Sequence, residues 1–181
     1  MDDASRIPCP LRSAARLSPG APALVGAGVS LAYGELDLKV SASEARIREL
    51  GLGAGDRVAL YLPKSEGYFV LLLALLRAGC VACLLSTRLP ATGAAPLPER
   101  TGCRALVSTS EEALEAATVR TLRPEELLAG GAASSGSRPS EELWTYPGQP
   151  YTIVFTSGSA GAPKAALHTF GNHYFSAAGS N

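Results

Sequence analysis

The sequence predicts an α/β protein: a doubly wound, mainly parallel sheet with helices on both faces. Two observations carry this. Short apolar runs (Asp56–Leu62, Cys80–Leu85, Arg104–Thr109) alternate with helix-length segments, the pattern of successive βαβ units. Those runs are apolar throughout rather than alternating, as strands covered on both faces must be.

The elements follow in order. Prolines 8, 10, 19 and 22 make residues 1–18 an irregular N-terminal arm. Ala23–Val25 and Val29–Tyr33 flank Gly26-Ala27-Gly28 and read as a β-hairpin. A helix over Gly34–Leu50 places Leu36, Val40, Ile47 and Leu50 on one stripe, and Gly51 stops it. Strand Asp56–Leu62 ends at Pro63. The next helix, Ser65–Ala78, has Ser65 as N-cap, Glu66 in its first turn and Gly79 at its end. It is apolar almost all round, so it packs beneath the sheet. Strand Cys80–Leu85 precedes a short broken helix over Ala91–Arg100. Strand Arg104–Thr109, helix Glu111–Ala117 and a brief strand Val119–Leu122 complete an α/β subdomain over residues 19–129. Gly, Ser and Ala dominate residues 130–140, a flexible linker. Residues 141–181 hold a buried strand, Tyr151–Phe155, a loop, a returning strand, Ala165–Thr169, and the start of a helix at Phe170.

Composition narrows the function classes. Hydrophobic residues make up 46% and charged residues 18% of 181, which is globular composition. Acidic and basic residues balance at 16 each, so no nucleic-acid-binding surface or electrostatic membrane attachment is expected. The N-terminus lacks the apolar stretch of a signal peptide. The most apolar run, Tyr68–Leu76, is nine residues, far short of the ~20 that span a bilayer. A cytoplasmic protein is expected. Cys80-Val-Ala-Cys83 has C-x-x-C spacing but sits in a strand, where residues three apart face opposite ways, so two buried small hydrophobes are expected. No metal-ligand set is read.

The chemistry-bearing segment is Thr156-Ser157-Gly158-Ser159-Ala160-Gly161-Ala162-Pro163-Lys164. Glycines let backbone N–H groups approach an anion, hydroxyls add donors, and Lys164 adds a compact positive charge. Only three lysines, Lys39, Lys64 and Lys164, stand against thirteen arginines, so a lysine kept in this loop is notable. The spacing is not that of a Walker P-loop, because Lys164 lies three residues after Gly161 and Ala165 follows it. An ordinary Gly/Ser-rich turn is the plainer alternative.

The segment resembles the phosphate-binding motif of adenylate-forming enzymes, T-S-G-[ST]-T-G-x-P-K-G, with Ala160 and Ala165 as departures. Losing the hydroxyl at Ala160 predicts weaker triphosphate binding. The continuation Leu167-His168-Thr169-Phe170-Gly171-Asn172-His173-Tyr174-Phe175-Ser176-Ala177 is similar to o-succinylbenzoate–CoA ligases of menaquinone biosynthesis. So are Leu73–Gly79 and Arg88-Leu89-Pro90.

The resemblance implies the N-terminal portion of that family's large domain and an acid–thiol ligase as parent. Such a ligase attacks ATP with a carboxylate, o-succinylbenzoate here, to give an acyl-adenylate, then passes the acyl group to coenzyme A. It implies Thr156, Ser157, Gly158, Ser159, Ala160, Gly161 and Lys164 as the ATP-phosphate site. His168 is the candidate catalytic residue, with a structural role for it and for His173 left open; Asn172 is expected to cap the last helix. Mg2+ and coenzyme A are expected to bind mainly outside this chain, which alone is expected to be inactive. Partners are the carboxylate, ATP and coenzyme A, with a homo-oligomer open. Another acyl-CoA synthetase, or a truncated non-catalytic binding module, are the competing readings.

Overall fold

The computed structural model describes residues 6–26, 28–128, 144–156 and 164–180. In chain order the elements are β1 (Ile7–Pro8), α1 (Pro10–Leu17), β2 (Pro22–Gly26), β3 (Val29–Ala32), α2 (Tyr33–Glu49), β4 (Arg57–Tyr61), α3 (Glu66–Arg77) and β5 (Val81–Leu84). There follow α4 (Ala91–Ala94), α5 (Leu97–Arg100), β6 (Ala105–Ser108), α6 (Glu111–Ala116), β7 (Arg120–Leu122) and α7 (Pro124–Leu127). The last are β8 (Trp144–Thr145), β9 (Pro150–Thr156), β10 (Lys164–Thr169) and α8 (Phe170–Ala178).

Six strands form the main sheet in the order β10-β9-β5-β4-β6-β7. All are parallel except β10, which returns antiparallel to β9 along one edge. The expected doubly wound, mainly parallel sheet is therefore what forms. Strand alternation sends side chains to two cores. Val58 and Leu60 of β4 join Ala105 and Val107 of β6 under α2 and α3. Ala59 and Tyr61 join Val81, Cys83 and Leu106 under α4–α6.

Helix α3 anchors the first core. Ser65 accepts a hydrogen bond from Tyr68 N at 3.2 Å, satisfying an amide that the helix start leaves orphaned. Leu71, Ala74 and Leu75 are wholly buried, and each leucine is worth about 1.5–3 kcal/mol of apolar transfer. The helix ends in a Schellman turn: Gly79 N donates to Leu76 O and Cys80 N to Leu75 O. Gly79 has φ +84°, and a Cβ there would lie 3.1 Å from Ala54 Cα, so conformation and space both require glycine.

The N-terminal arm is not irregular throughout. Pro10–Leu17 form α1, with Pro10 in its first turn, where a missing N–H costs nothing. Its Arg12 and Arg77 of α3 both bond Asp37 of α2, at 3.1 and 2.7 Å, with Asp37 and both guanidiniums nearly buried. Burying these charges is tolerable because they are paired. A lone helix-start proline among polar residues does not reveal that partner. α7 and the β1–β8 pair were also not expected, being too short to leave a periodic pattern. The expected linker over 130–140 lies outside the described residues. Cys80 and Cys83 face opposite cores. Burial pushes the Cys80 thiol up to about 11, and a hydrogen bond with Cys103, then burial, raises that of Cys83, so both behave as packing groups. No helix among the described residues is long and apolar enough to cross a membrane.

Candidate functional site

The parallel strands end along one edge. Leu60 of β4 lies in register with Leu84 of β5 and Val107 of β6, and Leu84 with Val154 of β9. Thr156 therefore projects just beyond a row of strand ends. From neighbouring strands the chain departs to opposite faces: β4 continues into α3 of the first core, β6 into α6 of the second. In open parallel sheets, ligands bind beyond the carboxyl ends of the strands where the chain diverges in this way.

The strand ends at this edge are pinned by hydrogen bonds. The Tyr61 hydroxyl donates to Leu89 O at 2.7 Å, fixing the loop after β5. Buried Ser108 donates to Tyr61 O at 3.1 Å and accepts from Ser110 N at 3.0 Å, tying the ends of β4 and β6. All three bonds use the Tyr61 and Ser108 side chains, which are buried, so the edge is set by packing beneath it.

Thr156 and Lys164 face each other across the β9–β10 hairpin, and the Thr156 hydroxyl leans on Lys164 O at 3.5 Å. Both residues are exposed. Lys164 has no ion pair among the described residues, whereas Lys39 is engaged by Glu66 at 2.6 Å. An unpaired ammonium beside strand ends suits an incoming anion. Ser157, Gly158, Ser159, Ala160 and Gly161 lie outside the described residues; the hairpin brings the two ends of their segment together.

His168 is elsewhere. It pairs with Thr152, four residues along β10 from Lys164, about 13 Å at the usual ~3.3 Å per residue. The structure thus does not bring it to the carboxyl edge. Its ring lies 5.7 Å from that of His173, whose Nε2 sits 2.8 Å from Thr152 Oγ1. Burial, and then His168, hold the His173 imidazole below its ordinary value, favouring its neutral form. Asn172 takes part in the α8 cap from its third position, its Oδ1 accepting from Thr169 N at 2.8 Å, while Thr169 is the N-cap and accepts from Asn172 N. Among the described residues no three of His, Cys, Asp and Glu gather as a metal site.

A family model described as AMP-binding enzyme matches residues 11–181. A feruloyl-CoA synthase from an Amycolatopsis species is 32% identical over 87% of this chain and 32% of its own length. A 3-hydroxybenzoate–CoA ligase of an Aromatoleum species is 29% identical over 83% of this chain and 31% of its own length. An o-succinylbenzoate CoA synthetase from Bacillus subtilis, solved with its acyl-adenylate intermediate, superposes with TM-score 0.82 and 27% identity over 97% of this chain and 46% of its own. The same enzyme with ATP and magnesium ion gives TM-score 0.81 at 26% identity, over 97% of this chain and 47% of that one. The chain spans about a third of the length of these two curated relatives.

Proposed function

For this chain, which belongs to the AMP-binding enzyme family, we propose the role of N-terminal part of an ATP-dependent acid–CoA ligase. Its segment between Thr156 and Lys164 holds the β- and γ-phosphates of ATP. One observation carries this: an antiparallel hairpin sets Lys164, with no ion pair among the described residues, against Thr156 at the carboxyl edge of a parallel sheet, closing a Thr/Ser/Gly segment.

The reaction of such a ligase breaks the bond between the α- and β-phosphates. A carboxylate oxygen attacks the α-phosphorus, pyrophosphate leaves, and a thiol later displaces AMP from the acyl carbon. Negative charge builds on the departing β-phosphate, and a lysine there neutralises it as the bond lengthens. Thr156, Ser157 and Ser159 supply hydroxyl donors and Gly158 to Gly161 backbone amides, orienting the leaving group in line with attack. Ala160 contributes no side-chain donor. The described residues offer no set of ligands for Mg2+. His168, beside Thr152 and His173, is placed to hold the hairpin to α8.

The proposed carboxylate is o-succinylbenzoate, supported by the likeness to the Bacillus subtilis synthetase across nearly the whole chain. Feruloyl- and hydroxybenzoate-activating relatives favour a second reading, another aromatic acid. The test is calorimetric titration of Mg·ATP into the chain and into Lys164→Ala. Loss of one charge-assisted contact weakens binding about tenfold or more; equal affinity of the two proteins sinks the phosphate assignment. Pyrophosphate exchange with a panel of aromatic acids, in a ligase carrying this chain as its N-terminal part, separates the two substrate readings.

A further inference from the structure

A second cavity lies at the opposite, amino-terminal edge of the sheet. It holds about 490 Å³ and is walled by α1, the end of α3, β8, the start of β9 and α8, within the range of small-molecule sites. Tyr151 on its wall is five residues from Thr156 along β9, about 16 Å at ~3.3 Å per residue, so it is separate from the site at the carboxyl edge. Trp144, Tyr151, Phe170, His173 and Tyr174 line it with rings, and the Tyr151 ring meets Phe170 at 5.2 Å and His173 at 5.5 Å. Such walls favour a flat, apolar body.

One end is polar. Arg77 lines the cavity although only 5% of its side chain is exposed. It donates to Ser41 Oγ at 3.0 Å and Asp37 Oδ1 at 2.7 Å, and approaches Cys9 Sγ at 3.7 Å. Of the five N–H donors of a guanidinium, its Nε–H has no acceptor among the described residues. No wholly enclosed side-chain nitrogen or oxygen there lacks a partner, so this N–H opens onto accessible space. Tyr151 stands near the same end, where burial, then Cys9, pushes its phenol up to about 12 against the opposing pull of Arg77, and keeps the hydroxyl a donor.

We propose that this cavity binds an aromatic monocarboxylate, its ring among Trp144, Phe170 and Tyr174 and its carboxylate accepting from Arg77 and Tyr151. A carboxylate is the complement of a guanidinium with unmet donors beside a phenol, and the ring walls are the complement of an aryl group. Nothing in this rests on phosphate binding at the other edge.

Trp144 is the single tryptophan and lies in the wall, so its fluorescence reports occupancy. The probe is 4-biphenylacetate, titrated into the 181-residue chain beside the uncharged 4-biphenylacetamide. The acid is expected to bind at one saturable site and to change Trp144 emission, with the amide weaker by about tenfold or more. Arg77→Gln is expected to erase the difference between acid and amide. Because that variant also removes a partner of buried Asp37, Ala177→Phe serves as the second arm: Ala177 lies on the exposed surface of α8 and lines the cavity, and the added ring fills it and abolishes binding of both compounds. Lys164→Ala is expected to bind the acid unchanged. Equal affinity for acid and amide, binding that survives Ala177→Phe, or no saturable signal because another segment or protein fills the cavity, each overturns the proposal.

Discussion

The two edges of the central sheet are built from the same strands by different means. At the carboxyl edge, the residues that would touch a phosphate lie within nine consecutive positions, Thr156 to Lys164. At the amino edge, the aromatic cavity draws on residues near 9, 77, 144, 151 and 173, joined only by folding. A contiguous site needs little from the rest of the molecule beyond a strand end on which to sit. A dispersed one depends on every helix that delivers a wall. Damage to packing should therefore reach the amino edge first.

The largest test of that difference is Asp37→Ala. It removes the carboxylate shared by the nearly buried guanidiniums of Arg12 and Arg77, and removing one partner from such a group costs about 3–5 kcal/mol. Thermal denaturation should show the loss, and the cavity should lose Trp144-reported binding before Mg·ATP binding changes. Simultaneous loss of both at a temperature where the chain remains folded would erase the distinction between the edges.

Ser108→Ala probes the carboxyl edge in the same way. It leaves Ser110 N without its partner and releases Tyr61 O, a cost of about 1–3 kcal/mol for a buried group. Chemical denaturation measures this. A change below the error of the method would mean that packing alone sets the ends of β4 and β6. A smaller effect, about 1 kcal/mol, is expected for Thr169→Ala, which removes the N-cap of α8. Amide exchange should rise first in Asn172 and its neighbours while β4–β6 keep their protection.

The mildest test is pH. His173 titrates below its ordinary 6.5 because burial and His168 disfavour the charged ring. Below that value the unfolded chain takes up a proton that the folded chain resists, so the unfolded state binds more protons and stability falls as pH falls. Stability from this residue is present above 6.5 and drains away through the lowered value. Melts between pH 7.5 and 5.5 should show the decline, and His173→Gln should flatten it. An equal slope in the variant would assign the decline to other groups.

How much of this was legible beforehand follows from the same contrast. The alternation of strand and helix announced the sheet, because a strand covered on both faces must be apolar throughout. Ser65, Gly51 and Gly79 marked helix ends, because capping chemistry is local. The Thr156–Lys164 segment was visible for the same reason. Three things were not. α1 was hidden because its reason for folding, Arg12 against Asp37, lies 25 residues away. His168 read as a candidate for chemistry because a histidine near a phosphate motif is close in sequence, yet an extended strand carries it about 13 Å away. The aromatic cavity had no linear signature at all.

The sequence by itself determined the fold class, the ends of α2 and α3, and the Thr/Ser/Gly segment for which phosphate binding is proposed, since each depends on interactions within a few residues. Only the tertiary structure decided which charges are buried together, which edge each histidine serves, and that Arg77 ends in a ring-lined cavity. Those outcomes depend on groups distant in the chain competing for the same low-dielectric space, where a charge or donor must find a partner or face accessible space.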